Sequence, residues 1–116
     1  MGELRTKETA KRYKDDIAAG LLAGECVICK KAPVQEFKYW KIVHNDYPYD
    51  AAFSQHDMIV PLRHANIDGV LPEEWQELNE IKRTYINEHY EWTMESTIRR
   101  LSIPAHFHMH LVNSPD

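Results

Sequence analysis

Seven residues near the C-terminus constrain this chain more than any others. In His106-Phe107-His108-Met109-His110-Leu111-Val112, polar and apolar side chains alternate strictly. A period of two belongs to a β-strand and not to a helix, whose faces repeat every 3.6 residues. The three imidazoles therefore share one face, and Phe107, Met109 and Leu111 pack the other. Neighbours on one face of a strand stand roughly 6.5 to 7 Å apart, so the outer two histidines begin about 13 Å from each other. Zinc-bound nitrogens lie only about 2.1 Å from the ion, so one metal cannot easily hold all three, and a division of labour among them follows. A solvent-facing strand in which histidine is merely tolerated is the plain alternative. With 7 histidines in 116 residues, chance produces such a triplet in roughly one sequence in forty.

The only cysteines, Cys26 and Cys29, are two residues apart and cannot build a disulfide framework of the secreted kind. A thioredoxin-like redox pair would sit between a strand and a helix start. Here the pair follows a helical pattern and precedes Lys30-Lys31-Ala32-Pro33, where proline favours an extended or turning chain. That is the setting of a metal-binding knuckle. Two thiolates at this spacing can meet one tetrahedral zinc, which then needs two more ligands, and with no third cysteine these must be histidines. Two small buried thiols without a ligand are the alternative.

A length of 116 residues and a hydrophobic content of 43% suffice for one core and exclude a two-domain enzyme. No apolar run approaches the roughly 18 residues of a membrane span. The opening Met1-Gly2-Glu3-Leu4-Arg5 shows no secretory signal, so a soluble, cytoplasmic protein is expected. Fourteen Lys and Arg against 18 Asp and Glu give a net charge of -4, which offers no field to gather nucleic acid.

Periodicity supplies the rest. Ala10, Tyr13, Ile17 and Leu21 recur at helical steps from Glu8 to Leu22, with Gly20 and Gly24 bracketing the end of this N-terminal helix. Phe37 to Val43 and His56 to Pro61 read as strands. Pro72, followed by Glu73 and Glu74, opens a long helix to about Tyr90, with Trp75, Leu78, Ile81 and Tyr85 on one stripe, and Glu91 to Ile98 reads as a further strand. The expected fold class is α+β: an antiparallel sheet of about five strands, the long helix across one face, the triad strand inside the sheet, and the site on the sheet's exposed face.

The heptapeptide resembles the mark of the histidine triad (HIT) proteins, His-φ-His-φ-His-φ-φ with φ apolar. Asn45-Asp46-Tyr47-Pro48-Tyr49 and His56-Asp57-Met58-Ile59-Val60-Pro61-Leu62-Arg63-His64 are similar to the family's Asn-x-Tyr-Pro-Tyr turn and to its following strand ending in Pro-x-x-His. The resemblance covers about residues 26 to 112. It implies a single HIT-like domain over 1–116, with 1–25 as N-terminal helix and lead-in and 26–112 as the core. From the zinc-containing branch it implies a zinc held by Cys26, Cys29, His64 and His106. It also implies that His108 attacks the α-phosphate of a nucleotide and becomes covalently nucleotidylated, while His110 donates to a phosphate oxygen. A neutral imidazole is a competent nucleophile near pH 7, and a donor is most effective where negative charge develops. The implied function is a nucleotide-phosphate hydrolase or nucleotidyl transferase with a nucleotide or nucleotide-conjugate substrate, and the implied assembly a homodimer.

In one stretch the chain departs from the family. Met94 to Ala105, where active relatives carry glycines against the phosphates, contains none, and the last glycine is Gly69. Glycine permits close backbone approach to a phosphate, so side chains must substitute: Arg99, Arg100 and Ser102 are the candidates, arginine acting bidentately. The departure also supports a second expectation, a non-catalytic, zinc-stabilised HIT-like module that binds a nucleotide or a protein. His56 is a candidate supporting residue behind the site, and Tyr47-Pro48-Tyr49 a candidate wall against a base.

Overall fold

Strands β1 (Gln35–Glu36), β2 (Trp40–His44), β3 (Gln55–Pro61), β4 (Trp92–Met94) and β5 (Met109–Asn113) pair antiparallel in the order β1-β2-β3-β5-β4. The computed structural model describes residues 4–100 and 103–115. The fold is α+β with a five-stranded antiparallel sheet, and the C-terminal strand lies inside it, as the patterning predicts. Register places His110 between Met58 of β3 and Met94 of β4.

Helix α3 (Pro72–Ile81) starts with proline at its first position, where no amide hydrogen is needed. The Glu74 carboxylate accepts from the Leu71 N–H at 2.8 Å and from Arg63 through Nε at 3.1 Å and Nη2 at 2.8 Å, which satisfies a carboxylate that is only 2% exposed. The helical path continues through a wide π turn (Lys82–Ile86) into α4 (Asn87–His89). The π turn slips the stripe by one residue, so that Ile86 follows Ile81 into the core. Leu78, Ile81, Ile86 and Tyr90 pack on Trp40, Ile42, Ile59, Phe107, Met109 and Leu111, with Trp75 and Tyr85 at the margin. Both apolar stripes expected from the sequence, one on the strand and one on the helix, meet in this core.

The other face of the sheet carries a smaller cluster, Val43, Met58 and Val60, sealed by Ile28 of the short helix α2 (Val27–Lys30) and flanked by Cys26, Val27 and Ile103. His56, His108 and His110 are on this second face. It is not an exposed face: the three imidazoles are between 3% and 6% exposed, because residues 45–50 and the N-terminal helix cover them. Helix α1 (Lys7–Ala18) is capped by the Thr6 hydroxyl, which accepts from the Thr9 N–H at 3.3 Å. It stops short of Leu22 because Gly20 turns left-handed (φ 77°), bringing the Gly20 N–H to Ile17 O and the Leu21 N–H to Asp16 O, both at 3.0 Å.

Three strand boundaries differ from expectation. Phe37 to Tyr39 form the tight β1–β2 turn, not strand: the Phe37 N–H donates to Trp40 O at 2.7 Å, and Glu77 accepts from the Lys38 and Tyr39 amides. β4 keeps only three residues of Glu91 to Ile98 before the chain enters a 3-10 turn (Ile98–Arg100). β5 begins at Met109 and not at His106. Residues 106–108 leave the ladder because the Phe107 N–H is taken by Ala65 O at 2.7 Å and the His106 ring by Pro61 O at 2.9 Å.

Candidate functional site

Three separate segments deliver the side chains of a four-ligand cluster. The short helix α2 presents Cys26 at its N-cap and Cys29 within its single turn, the loop after β3 presents His64, and the run into β5 presents His106. His106 Nδ1 lies 3.5 Å from Cys26 Sγ, 3.4 Å from Cys29 Sγ and 3.3 Å from His64 Nδ1, and Cys29 Sγ lies 3.3 Å from His64 Nδ1. All four ligand atoms fall within 4.8 Å of one another. A tetrahedron whose corners stand about 2.0 to 2.3 Å from its centre has edges of about 3.3 to 3.8 Å, so a single metal ion fits this donor set. The fully buried His106 is also set in the right tautomer. Its Nε2–H donates to the Pro61 carbonyl, which leaves the Nδ1 lone pair facing the cluster. Lys41 braces the knuckle from beneath, with Nζ 2.8 Å from Lys31 O and 3.4 Å from Cys29 O. Burial, and then Cys26, push the Cys29 thiol up, so a proton must be displaced when the thiolate takes a metal.

The next two histidines of the triplet turn away from this cluster to the wall of a cavity of about 590 Å³. His108 Nδ1 is 3.1 Å from His106 O. A carbonyl can only accept, so Nδ1 carries the hydrogen and Nε2 keeps its lone pair. For His110 the tautomer is fixed from further away. The Tyr49 N–H donates to His56 Nδ1 at 2.9 Å, so a neutral His56 holds its hydrogen on Nε2, and that hydrogen goes to His110 Nδ1 at 2.7 Å. Asn45 Nδ2, at a longer 3.3 Å from His56 Nε2, is then a neighbour and not a donor to it. His110 Nε2 consequently carries a hydrogen, and this buried atom has no partner among the described residues. Burial, then the positive charge of Arg5, push His56 down to about 4. Burial, then His56, His108 and Arg5, push His110 down to about 3, so both rings are neutral at pH 7. The two cavity histidines thus offer different functions: His108 a nucleophilic lone pair, His110 a donor.

The structure brings Cys26, Cys29, His64 and His106 together, and puts His108 and His110 on one cavity beside them. It does not bring in the arginines. Arg99 and Arg100 lie on the exposed 3-10 turn after β4 and are not in the cavity lining, and Ser102 lies outside the described residues. His56, the candidate supporting residue, is hydrogen-bonded to His110, and Tyr47 and Tyr49 line the cavity. Residues that sequence reasoning missed come from the N-terminal segment: Arg5, Tyr13 and Ile17 line the same cavity as His108 and His110. The stripe Ala10, Tyr13, Ile17 was the available signal, since an apolar stripe needs a surface to face. Among the described residues no helix is long and apolar enough to cross a membrane. No protein-family model and no curated protein matches this chain.

Proposed function

We propose that this chain is a histidine triad enzyme, a nucleotide-phosphate hydrolase or nucleotidyl transferase that works through a covalent nucleotidyl-His108, with a structural zinc at Cys26, Cys29, His64 and His106. One observation carries the reading. A run of five residues gives its first histidine to a closed four-ligand cluster, and its second and third to one cavity in complementary tautomers. A five-stranded antiparallel sheet crossed by a long helix is also the architecture that the resemblance implies.

Two thiolates and two imidazoles at tetrahedral spacing suit zinc best among the common divalent ions. Cys26, Cys29, His64 and His106 would hold the ion with four protein ligands, leaving no position for water, and its contribution there would be to hold the 106–110 run in place. His108 Nε2 attacks the α-phosphorus, and the bond from phosphorus to the leaving group breaks. His110 donates Nε2–H to a non-bridging oxygen as charge gathers there. Water then attacks the same phosphorus, the N–P bond returns its electrons to His108, and a nucleoside monophosphate leaves. Across both steps the OH of water ends on phosphorus and its hydrogen on the leaving group.

Adenosine 5′-phosphoramidate and diadenosine tetraphosphate test this. Wild-type protein should turn over at least one of them and, on quenching in denaturant at alkaline pH, where an N–P bond survives, carry a nucleotidyl group on His108. His108→Ala should abolish both while retaining one equivalent of metal. A second reading, a zinc-stabilised binding module, is favoured by the glycine-free stretch and by Arg99 and Arg100 standing outside the cavity. Zinc and nucleotide binding with no adduct and no turnover would establish it instead.

A further inference from the structure

We propose that Cys26 and Cys29 are a reversible dithiol–disulfide pair, and that hydrogen peroxide, by joining their two sulfurs, releases the metal from the four-residue cluster. This rests on the reading of that cluster as a zinc site.

The pair follows α1 in the sequence, but it also opens a helix of its own, with Cys26 at the N-cap of α2 and Cys29 in its single turn. Alpha carbons three residues apart on a helical turn stand about 5 Å from each other, inside the roughly 4.4 to 6.8 Å that a disulfide spans. Both sulfurs face the same group: His106 Nδ1 lies 3.5 Å from Cys26 Sγ and 3.4 Å from Cys29 Sγ, and the two sulfurs are within 4.8 Å of one another. Rotation about the side-chain bonds therefore closes the gap without moving the backbone.

The seat of this turn does not depend on a metal. Ile28, between the cysteines and only 1% exposed, is packed with Val43, Met58 and Val60, and Val27 packs against the same cluster. Across the site, the His106 ring is held by its hydrogen bond to Pro61 O. Access differs between the two sulfurs. Cys29 is exposed, whereas Cys26 is half-buried on the cavity that His108 and His110 also line, so an oxidant meets Cys29 first. With two cysteines in the whole chain, each sulfur has the other as its one intramolecular partner.

A cysteine that ligates a metal is a thiolate, the nucleophilic form. The Cys29 thiolate attacks one oxygen of hydrogen peroxide, the O–O bond breaks, and hydroxide leaves a sulfenic acid on Cys29. The Cys26 thiolate then attacks that sulfur, the S–O bond breaks, and a second hydroxide leaves. Two electrons have passed from the two sulfurs to the peroxide. His64 and His106 remain as two ligands where a structural zinc needs four. A dithiol such as dithiothreitol returns two electrons and two protons, itself becomes a cyclic disulfide, and restores both thiols.

The test uses the zinc-loaded full chain, treated with hydrogen peroxide while a chromogenic chelator reports free zinc and mass spectrometry of alkylated protein reports free thiols. One zinc should appear for each intramolecular Cys26–Cys29 disulfide. After reduction with dithiothreitol and its removal, added zinc should restore one equivalent of metal. Protein stripped by chelator alone should recover its metal on adding zinc without any reductant. Zinc released with the sulfurs driven to sulfinic acids, or joined between molecules, overturns the proposal. So does a cluster that keeps its zinc and both thiols under excess peroxide, or oxidised protein that recovers its metal without reductant. Zinc content is measured before peroxide is added, so the two readings separate. Protein that never holds zinc removes the cluster reading and this one with it, whereas zinc-loaded protein that fails to form the disulfide removes this one alone.

Discussion

His56 shows how a residue outside the triplet sets the chemistry of one inside it. Its ring takes a backbone hydrogen from Tyr49 on one side and passes its own to His110 on the other, which determines the hydrogen that His110 shows to the cavity. His56→Phe keeps a ring of similar size but leaves His110 Nδ1 buried and unpaired, at a cost of about 1 to 3 kcal/mol in stability. It should also slow turnover about tenfold or more while metal content stays at one equivalent, since His56 is not a ligand. Equal activity in this variant would remove the relay. From the sequence alone His56 could be placed at the head of a strand, but its hydrogen-bond chain could not be read, because Tyr49 and His110 reach it only through the turn at 45–50 and the β3–β5 register.

At the level of elements, the start of α3 depends on one buried carboxylate. Glu74 joins the helix to the loop before it through Arg63 and the Leu71 N–H, and the backbone carbonyl of the same residue accepts from the Trp40 indole at 2.7 Å. The Arg63 hydrogen bonds hold this carboxyl below its ordinary range. Glu74→Ala leaves the half-exposed guanidinium and a helix-start amide without their partner, and should lower stability by about 1 to 3 kcal/mol in urea titration. Glu74→Gln, which keeps an acceptor for Leu71, should lose less. Glu74 was legible as a first-turn carboxylate favoured by the helix dipole. Its burial was not, because the partner Arg63 lies across a loop and belongs to no helical spacing.

Two predictions concern the whole molecule. His56 and His110 are held neutral by burial, at about 4 and about 3, against about 6.5 in the unfolded chain. Below pH 6.5 the unfolded state binds protons that the folded state refuses, so this contribution is complete above pH 6.5 and is lost as pH falls toward 4. Unfolding free energy should therefore decline across that window with a slope approaching about 1.4 kcal/mol per pH unit for each imidazole, and the melting temperature should fall with it. A flat profile from pH 7 to 4.5 would contradict the buried neutral pair. Metal removal should act through the same core, since an ion held by the four-residue cluster would tie residues 26–29, 64 and 106 together. Chelation, Cys26→Ser or His64→Ala should each lower metal content and melting temperature together, because binding free energy is also folding free energy when the site is assembled from distant segments.

The alternation from His106 to Val112 was enough to place all three imidazoles on one face and an apolar set on the other, because side-chain direction along an extended chain is a local property. The helical stripe from Trp75 to Tyr85 and the spacing of Cys26 and Cys29 were legible for the same reason. Tertiary structure alone decided what lies above the histidine face. The fastening of Thr6, Thr9, Arg12 and Asp16 to residues 45–50 sets α1 beside the cavity, so that a face expected to be open is partly covered and Arg5 becomes part of its lining. Those contacts join residues more than thirty positions apart, and neither periodicity nor spacing reports on pairings at that range.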